Sequence, residues 1–281
     1  EAAVEASGTC TVAGRPLSIE ARLQDKVWHL SAEGGKLPAR LFKKSLGGTV
    51  DLSAKTTYPG GTGNFNITYS GDEQWPMISG TGSITGDEVV FRDFKLPRFN
   101  PPVVGSGTYH ISNGSIALEA ALKGQKLTEL WKPSPVAGKL FGTVKVSGKE
   151  SAPQPSFEGE LRETKWQGTD FGTVAVSATD GSMKATLQNF SLDSVPELKP
   201  YFTGTGTVVL EGLPPTLSAT ADFPQVHLKG HPLGQLKAKL KVQEQKLVIS
   251  SLNLPMMSMS GSVSPGKINL GGEIKDLNLA T

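Results

Sequence analysis

An almost unbroken alternation of apolar and polar residues constrains the fold of this chain more than any other feature. Between Leu140 and Leu192 the alternation stops only at Gly, Pro or Asp, and many of the apolar residues are β-branched. A repeat of two residues is typical of strands with one buried face, because successive side chains of a strand point to opposite faces. The rest of the chain varies the same pattern, which predicts an all-β fold of about twenty strands.

The composition leaves room for one large β domain or two smaller ones, and it argues against several classes of protein. The 281 residues include 33 Gly and 19 Pro, but the ordered pattern between them excludes a low-complexity chain. The 28 basic and 26 acidic residues are interleaved, and the net charge of +2 is too low to indicate a nucleic-acid partner. Cys10 is the single cysteine, so the sequence predicts no internal disulfide. No apolar run approaches the ~18 residues of a membrane span, and we expect any membrane anchor to lie in a segment outside this sequence.

Three short segments break the alternation and are predicted to be helical turns, at residues 36–42, 126–131 and 193–200. Asp193 or Ser194 is expected to cap the third of them. A sheet with one apolar face must cover that face with helices, a second sheet or a ligand. Three helical turns are too few for a sheet of this size. Curling of the sheet on itself, with a ligand in the remaining space, is one physically sufficient way to cover this face.

The alternation also recurs over a longer period. Phe171-Gly172 aligns with Leu233-Gly234, 62 residues later, and each stretch follows a predicted helical turn. Such self-similarity is typical of repeat proteins, in which each unit contacts mainly its neighbours. We predict a single elongated repeat domain over residues 1–281, in which a full copy has a helical turn and about five strands. Its sub-units are a divergent copy at 8–125, full copies at 126–192 and 194–254, and a partial copy at 255–281.

These repeats resemble the AsmA/TamB-like proteins, which belong to a wider group of repeating β-groove, bridge-like lipid-transfer proteins. The resemblance covers residues 126–281 well and residues 8–125 loosely, and it extends to accessory proteins of type II secretion that look like this family. The matching features are the Leu-x-x-Leu segment at 127–130, the phrase Leu-x-Gly-Thr-Val-x-Val-x-Gly at 140–148, the proline-containing turn at 153–155, Phe-Glu-Gly-Glu-Leu at 157–161, Phe171-Gly172, Asp180-Gly181, and Asn-Phe-Ser-Leu at 189–192.

The resemblance implies a long antiparallel sheet, strongly curved into a U-shaped groove. The inner face of the groove would be apolar, and its outer face would meet the aqueous periplasm. The family further implies a non-catalytic protein of a Gram-negative-type cell envelope, tethered to the inner membrane in its full-length form. Such a protein would bind or conduct acyl chains of phospholipids or other lipids between membranes, with envelope proteins as further partners and no cofactor.

The apolar residues of the alternation are the candidate lining of this groove. The same residues could instead form a closed, dry core, and this alternative stays open. Lys237, Lys239 and Lys241 alternate with them and are expected on the solvated face, with contact to anionic lipid headgroups left open. The candidates are Leu140, Val144, Val146, Val174, Val176, Met183, Leu187, Val208, Leu210, Leu236, Leu240, Val242, Leu247, Ile249, Met257, Met259, Ile268 and Leu270.

Signals for catalysis are weak, and we predict that the chain is not an enzyme and holds no metal. The four histidines are scattered without the spacing of metal ligands. No GxSxG nucleophile elbow occurs. The GxG phrases lie inside predicted strands, whereas a phosphate-binding glycine-rich loop lies between a strand and a long helix, so they do not indicate a phosphate site. The acidic pairs Asp72-Glu73 and Asp87-Glu88 are typical of turns.

Two further hypotheses for the function stay open beside lipid binding. The first is a structural or scaffolding component of an envelope secretion or assembly apparatus, which would bind protein partners through the edges of its sheet. The second is a surface adhesin or polysaccharide binder. For that protein we would expect exposed rows of aromatic residues rather than the scattered Trp28, Trp75, Trp131 and Trp166.

Overall fold

The computed structural model describes most of the chain. The described residues are 4–41, 47–59, 61–71, 77–130, 134, 136–166, 169–179, 181–195, 198–213, 216–243, 246–264 and 267–274. For some strand residues only the backbone is described, and these are Trp166, Leu213, Val242, Gln243, Val263, Ser264 and Ile268. Trp75, Trp131 and the pair Asp72-Glu73 lie outside the described residues.

In these ranges nineteen strands form one antiparallel sheet that is not closed, and 81% of the residues are in strands. This confirms the predicted all-β fold, a long antiparallel sheet with a few short helices. The strands are β1 Val4–Val12, β2 Arg15–Gln24, β3 Val27–Pro38, β4 Thr49–Tyr58, β5 Thr62–Ser70, β6 Ile78–Thr85, β7 Glu88–Leu96, β8 Val103–His110, β9 Ser115–Lys126, β10 Val136–Lys149, β11 Ala152–Trp166, β12 Thr169–Thr179, β13 Ser182–Ser191, β14 Phe202–Leu213, β15 Thr216–Leu228, β16 His231–Gln243, β17 Lys246–Leu254, β18 Met257–Ser264 and β19 Lys267–Ile274.

The sheet is a meander. From β1 to β9, and again from β11 to β19, each strand pairs antiparallel with the next strand along the chain. Three helical turns interrupt it at the predicted places. Ala39–Leu41 and Leu192–Ser194 are 3₁₀ turns, and Leu127–Leu130 is the short helix α1.

The cap of the third helical turn differs from the prediction. Ser191 is the cap, and its Oγ accepts a hydrogen bond from the backbone N–H of Asp193 at 3.3 Å. The expectation that Asp193 or Ser194 caps this turn is wrong, because the turn begins at Leu192, one residue before the predicted segment.

Distances between Cα atoms divide the chain into two compact units. Unit 1 is Glu1–Gln125 with Thr143–Pro155, and unit 2 is Lys126–Gly142 with Ser156–Thr281. The single repeat domain and its sub-units stay a prediction. In chain order, the two predicted full copies correspond to four strands each, β10–β13 and β14–β17, instead of about five.

Large apolar side chains cover glycines of the neighbouring strand in both units. In unit 1, Phe65 and Phe91 are the cross-strand partners of Gly82, and their rings lie 5.5 Å apart. In unit 2, Phe223 lies so close to Gly206 that a Cβ at Gly206 would be 2.5 Å from the ring. The aromatic ring thus fills the space that a glycine leaves on the face of a sheet.

Bulges shift the register of several strand pairs in unit 2. One lies between Leu187 and Phe190 on β13, and another lies between Phe223 and Val226 on β15. A bulge bends the strand that carries it and increases the local twist, as a curved sheet requires. It also changes which residues along the strand point to a given face.

Candidate functional site

Apolar side chains form continuous rows across unit 2, because residues directly opposite each other in neighbouring strands share a face of the sheet. The first row contains Leu161, Val174, Leu187, Val208, Ala221, Ala238, Leu252 and Met259. The second row contains Gly159, Val176, Ala185, Leu210, Ala219, Leu240, Ile249, Gly261 and Leu270. The register therefore brings half of the predicted groove-lining residues into these two rows of one apolar face.

Part of this face is a dry core. Leu161, Val174, Ala185 and Leu187 are buried against one another, and Leu127 of α1 packs on them. The helical turn before β10 therefore covers the beginning of the apolar face, as a short amphipathic cover does. This part of unit 2 agrees with the alternative of a closed core.

A second buried cluster lies at the 3₁₀ turn Leu192–Ser194. Its members are Leu192, Phe223 and Val226, of which Val226 is 1% exposed. Phe190 packs on both clusters: its ring is stacked on Phe171 with 5.6 Å between centroids, and it meets the Phe223 ring edge-on at 6.4 Å. The two clusters thus form one continuous apolar core on strands β11–β15.

The apolar face is open to solvent farther along unit 2. None of the residues of β17, β18 and β19 whose side chains are described is fully buried, and Leu270 is 43% exposed. We call a group of six half-buried apolar side chains on β16, β17 and β18 the open strip. The open strip consists of Leu240, Leu247, Ile249, Leu252, Met257 and Met259.

The predicted groove-lining residues occupy different environments. Val174 and Leu187 are buried, Leu270 is exposed, and the backbones of Val242 and Ile268 lie opposite Leu247 and Val263. Val144 and Val146 are half-buried but belong to unit 1. The half-buried candidates of unit 2 are Leu140, Val176, Met183, Val208, Leu210, Leu236, Leu240, Leu247, Ile249, Met257 and Met259. Their role in binding stays a prediction.

Three aromatic residues hold the core together but are not among the predicted groove-lining residues, and these are Phe171, Phe190 and Phe223. Phe190 follows Asn189, which has a φ of 56°, and the bulge there moves Phe190 onto the face of Leu187. Strict alternation would have put it on the other face. Asn tolerates positive φ better than other residues with a side chain, so an Asn before an aromatic residue is the signal that could have revealed this bulge.

The opposite face of unit 2 is polar. Lys237, Lys239 and Lys241 alternate along β16 with residues of the apolar face, and all three are exposed. This agrees with the expectation of a solvated face. An acyl chain lying on the open strip is separated from these lysines by the sheet itself.

Two concavities lie on the polar faces. The one in unit 1 has a volume of about 630 Å³ and contains Arg22, which pairs with Glu5 at 3.2 Å. There Glu20 accepts a hydrogen bond from Ser31 at 3.3 Å. The concavity in unit 2 has a volume of about 330 Å³ and includes Lys237, Lys239 and residues of β14, β15 and β17.

One cluster of titratable groups lies at the hairpins of β7 and β8, but it lacks the geometry of a catalytic triad. Ser112 donates hydrogen bonds to Asp87 through its Oγ at 2.5 Å and its backbone N–H at 2.6 Å. These bonds hold the pKa of Asp87 below its ordinary value. His110 lies 4.0 Å from Asp87, and the Ser112 hydroxyl donates to the carboxylate rather than to the imidazole. Asp87 thus shapes a turn, as its sequence context indicates.

The described residues contain no group of three or more His, Cys, Asp or Glu side chains that could hold a metal ion. Among the helices of the described ranges, none has the length and apolarity needed to cross a membrane. Comparison of the chain with protein-family models, with curated proteins and with solved structures gave no significant match.

Proposed function

We propose that the apolar face of unit 2 binds lipid acyl chains, without catalysis, and that the open strip is the contact surface. The observation that carries this proposal is the row of half-buried apolar side chains on β16–β18, in direct register and next to a dry core. Removing apolar surface from water gains about 25 cal/mol of free energy per Å². An apolar ligand that covers the open strip therefore binds favourably.

The dimensions of the rows favour a long, unbranched ligand. Neighbouring side chains of a row are about 4.5–5.5 Å apart, so a chain that follows the row contacts one side chain per strand. Met257 and Met259 lie at the end of the open strip, where flexible thioethers adapt to ligands of different shape. A bulky, rigid ligand would make fewer of these contacts.

The setting that we propose rests on the resemblance to AsmA/TamB-like proteins. In that setting the chain is part of a periplasmic cell-envelope protein that binds or conducts phospholipid acyl chains between membranes. The rows cross many strands without interruption by a charged side chain on the same face, which suits a ligand that moves along them. The secretion-apparatus hypothesis remains the alternative for this setting.

A matched pair of substitutions on β17 tests the proposal. Ile249 and Val248 are adjacent, β-branched and half-buried, but Ile249 belongs to the open strip and Val248 faces Lys241 on the other side. Ile249→Asp places a charge where the acyl chain would lie and should reduce the affinity for a fluorescent fatty acid by more than ~10-fold, since a charge in an apolar contact is costly. Val248→Asp should bind the probe as the wild type does.

The outcomes of this test are distinct. Both variants should keep an all-β circular dichroism spectrum, because Ile249 is not fully buried. Equal binding by the two variants, or no binding of the probe by the wild type, would overturn the proposal. Unfolding of Ile249→Asp alone would show instead that the open strip is a closed core.

A further inference from the structure

The polar face of unit 2 carries an excess of positive charge. Lys239 and Lys241 have no carboxylate within ion-pair distance among the described residues, whereas Lys237 lies 3.9 Å from Asp222. Asp222 also accepts a hydrogen bond from Gln235 at 2.9 Å. Asp222, the carboxylate beside these three lysines among the described residues, is thus already engaged, and no described carboxylate pairs with the other two ammonium groups.

Hydroxyl and amide groups surround these lysines. Lys239 lies between Thr220 on β15 and Ser251 on β17, its direct cross-strand partners. Lys237 lies beside Asn253 in the same way. Successive lysines of the row are about 6.7 Å apart along the strand, so one anion can contact two of them. Ammonium groups form strong, charge-assisted hydrogen bonds with an oxyanion, and the neighbouring hydroxyl and amide groups can donate further ones.

The two concavities differ in their charge balance. In unit 1, Glu5 and Glu20 face Arg22 and Lys55, so acidic and basic side chains are equal in number. In unit 2, the concavity of about 330 Å³ contains Asp222 against Lys237 and Lys239. An anion therefore gains a net attraction in unit 2 only.

We propose that the unit 2 concavity, which is lined by Lys237 and Lys239, forms a binding site for a phosphate-type oxyanion together with Lys241, the next lysine along the same face of β16. The phosphate is either free in solution or part of a lipid headgroup at a membrane surface. The site is distinct from the open strip because β16 presents the lysines and the apolar residues on opposite faces. A lipid whose acyl chain lies on the open strip does not bring its own headgroup to these lysines.

The test compares two double variants of the full chain that lose the same charge. Lys239→Gln/Lys241→Gln removes the unneutralised lysines, and Lys55→Gln/Lys123→Gln removes two exposed lysines of unit 1. Circular dichroism checks that both variants keep their fold. Inorganic phosphate is titrated at constant ionic strength while amide NMR signals of Thr220 and Ser251 are followed.

The wild type and the control should show saturable shifts of these signals, and Lys239→Gln/Lys241→Gln should bind phosphate at least ~10-fold more weakly, because hydrogen bonds to charged groups are strong. The second arm uses vesicles of phosphatidylcholine with or without phosphatidylglycerol. If headgroups are the source, each lost lysine weakens binding to the anionic vesicles about fivefold.

Binding of phosphate without binding of vesicles supports the site and identifies free phosphate as its source. An absence of saturable phosphate binding by the wild type would contradict the proposed site. An equal loss of phosphate affinity in the two double variants would also contradict it, because the affinity would then depend only on the net charge of the protein. Ile249→Asp should bind phosphate as the wild type does. A failure of lipid binding is thereby distinguished from a failure of this site.

Discussion

At the scale of single residues, the sheet depends on contacts between large apolar side chains and glycines of the next strand. Phe223 is 2% exposed, although it belongs to a single sheet, because its ring lies over the backbone at Gly206. A glycine there leaves room for a ring that would otherwise stand exposed. The glycines that the sequence scatters through its strands are therefore part of the core, and replacing them removes space that a neighbouring side chain occupies.

Gly206→Ala should destabilise the protein. A Cβ at Gly206 would lie 2.5 Å from the Phe223 ring and in contact with the backbone oxygen of Asp222, which has little freedom to move. Overpacking of this kind costs about 1–3 kcal/mol, more than the ~0.5–1 kcal/mol that Ala gains over Gly in a strand. Gly271→Ala is the control, because a Cβ there meets nothing within 4 Å. Urea denaturation should give a lower midpoint for Gly206→Ala only, and equal midpoints would contradict this account.

At the scale of strands, bulges decide which residues reach the apolar face. The bulge on β13 lets Leu187 and Phe190 share that face, and Phe190 then links the two buried clusters. Positive φ at Asn189 makes this possible. A regular strand of the same sequence would leave Phe190 on the polar face and break the core between β12 and β15.

Asn189→Val should therefore lower the stability of unit 2. A β-branched residue at a φ of 56° costs about 1–2 kcal/mol, whereas Gly adopts this conformation freely. Asn189→Gly should keep a stability close to that of the wild type. Gln188→Val, at the exposed position next to it, should not be destabilising. The free energies of unfolding from urea titration check this order, and a stable Asn189→Val would show that the bulge can be lost without harm.

Much of the strand pattern could be predicted from the sequence, and parts of the site could not. Alternation at Val174 and Leu240 predicts strands and their faces because the two-residue period is a property of the chain itself. It cannot predict that Val174 is buried while Ile249 is half-buried, since burial depends on how helix α1 and the bulged strands pack. The cap at Ser191 was missed for a related reason: element boundaries depend on tertiary contacts as well as on local preference.

At the scale of the whole molecule, the apolar face of unit 2 changes along the sheet from a dry core to a surface that meets solvent. The buried clusters lie on β11–β15, and the half-buried side chains of the open strip lie on β16–β18. Stability comes from the dry core and from the hydrogen bonds of the strands, whereas the open strip leaves apolar surface in contact with water.

The most direct test of the central claim is photo-crosslinking with a diazirine fatty acid, located residue by residue by tandem mass spectrometry. If acyl chains bind to the open strip, adducts should alternate along the strands, with Leu240 and Ile249 labelled and Lys239 and Val248 unlabelled. This period of two residues follows from the opposite faces of a strand. Labelling of both faces at equal yield, or no labelling above that of a protein-free control, would contradict the claim that this apolar face binds lipid.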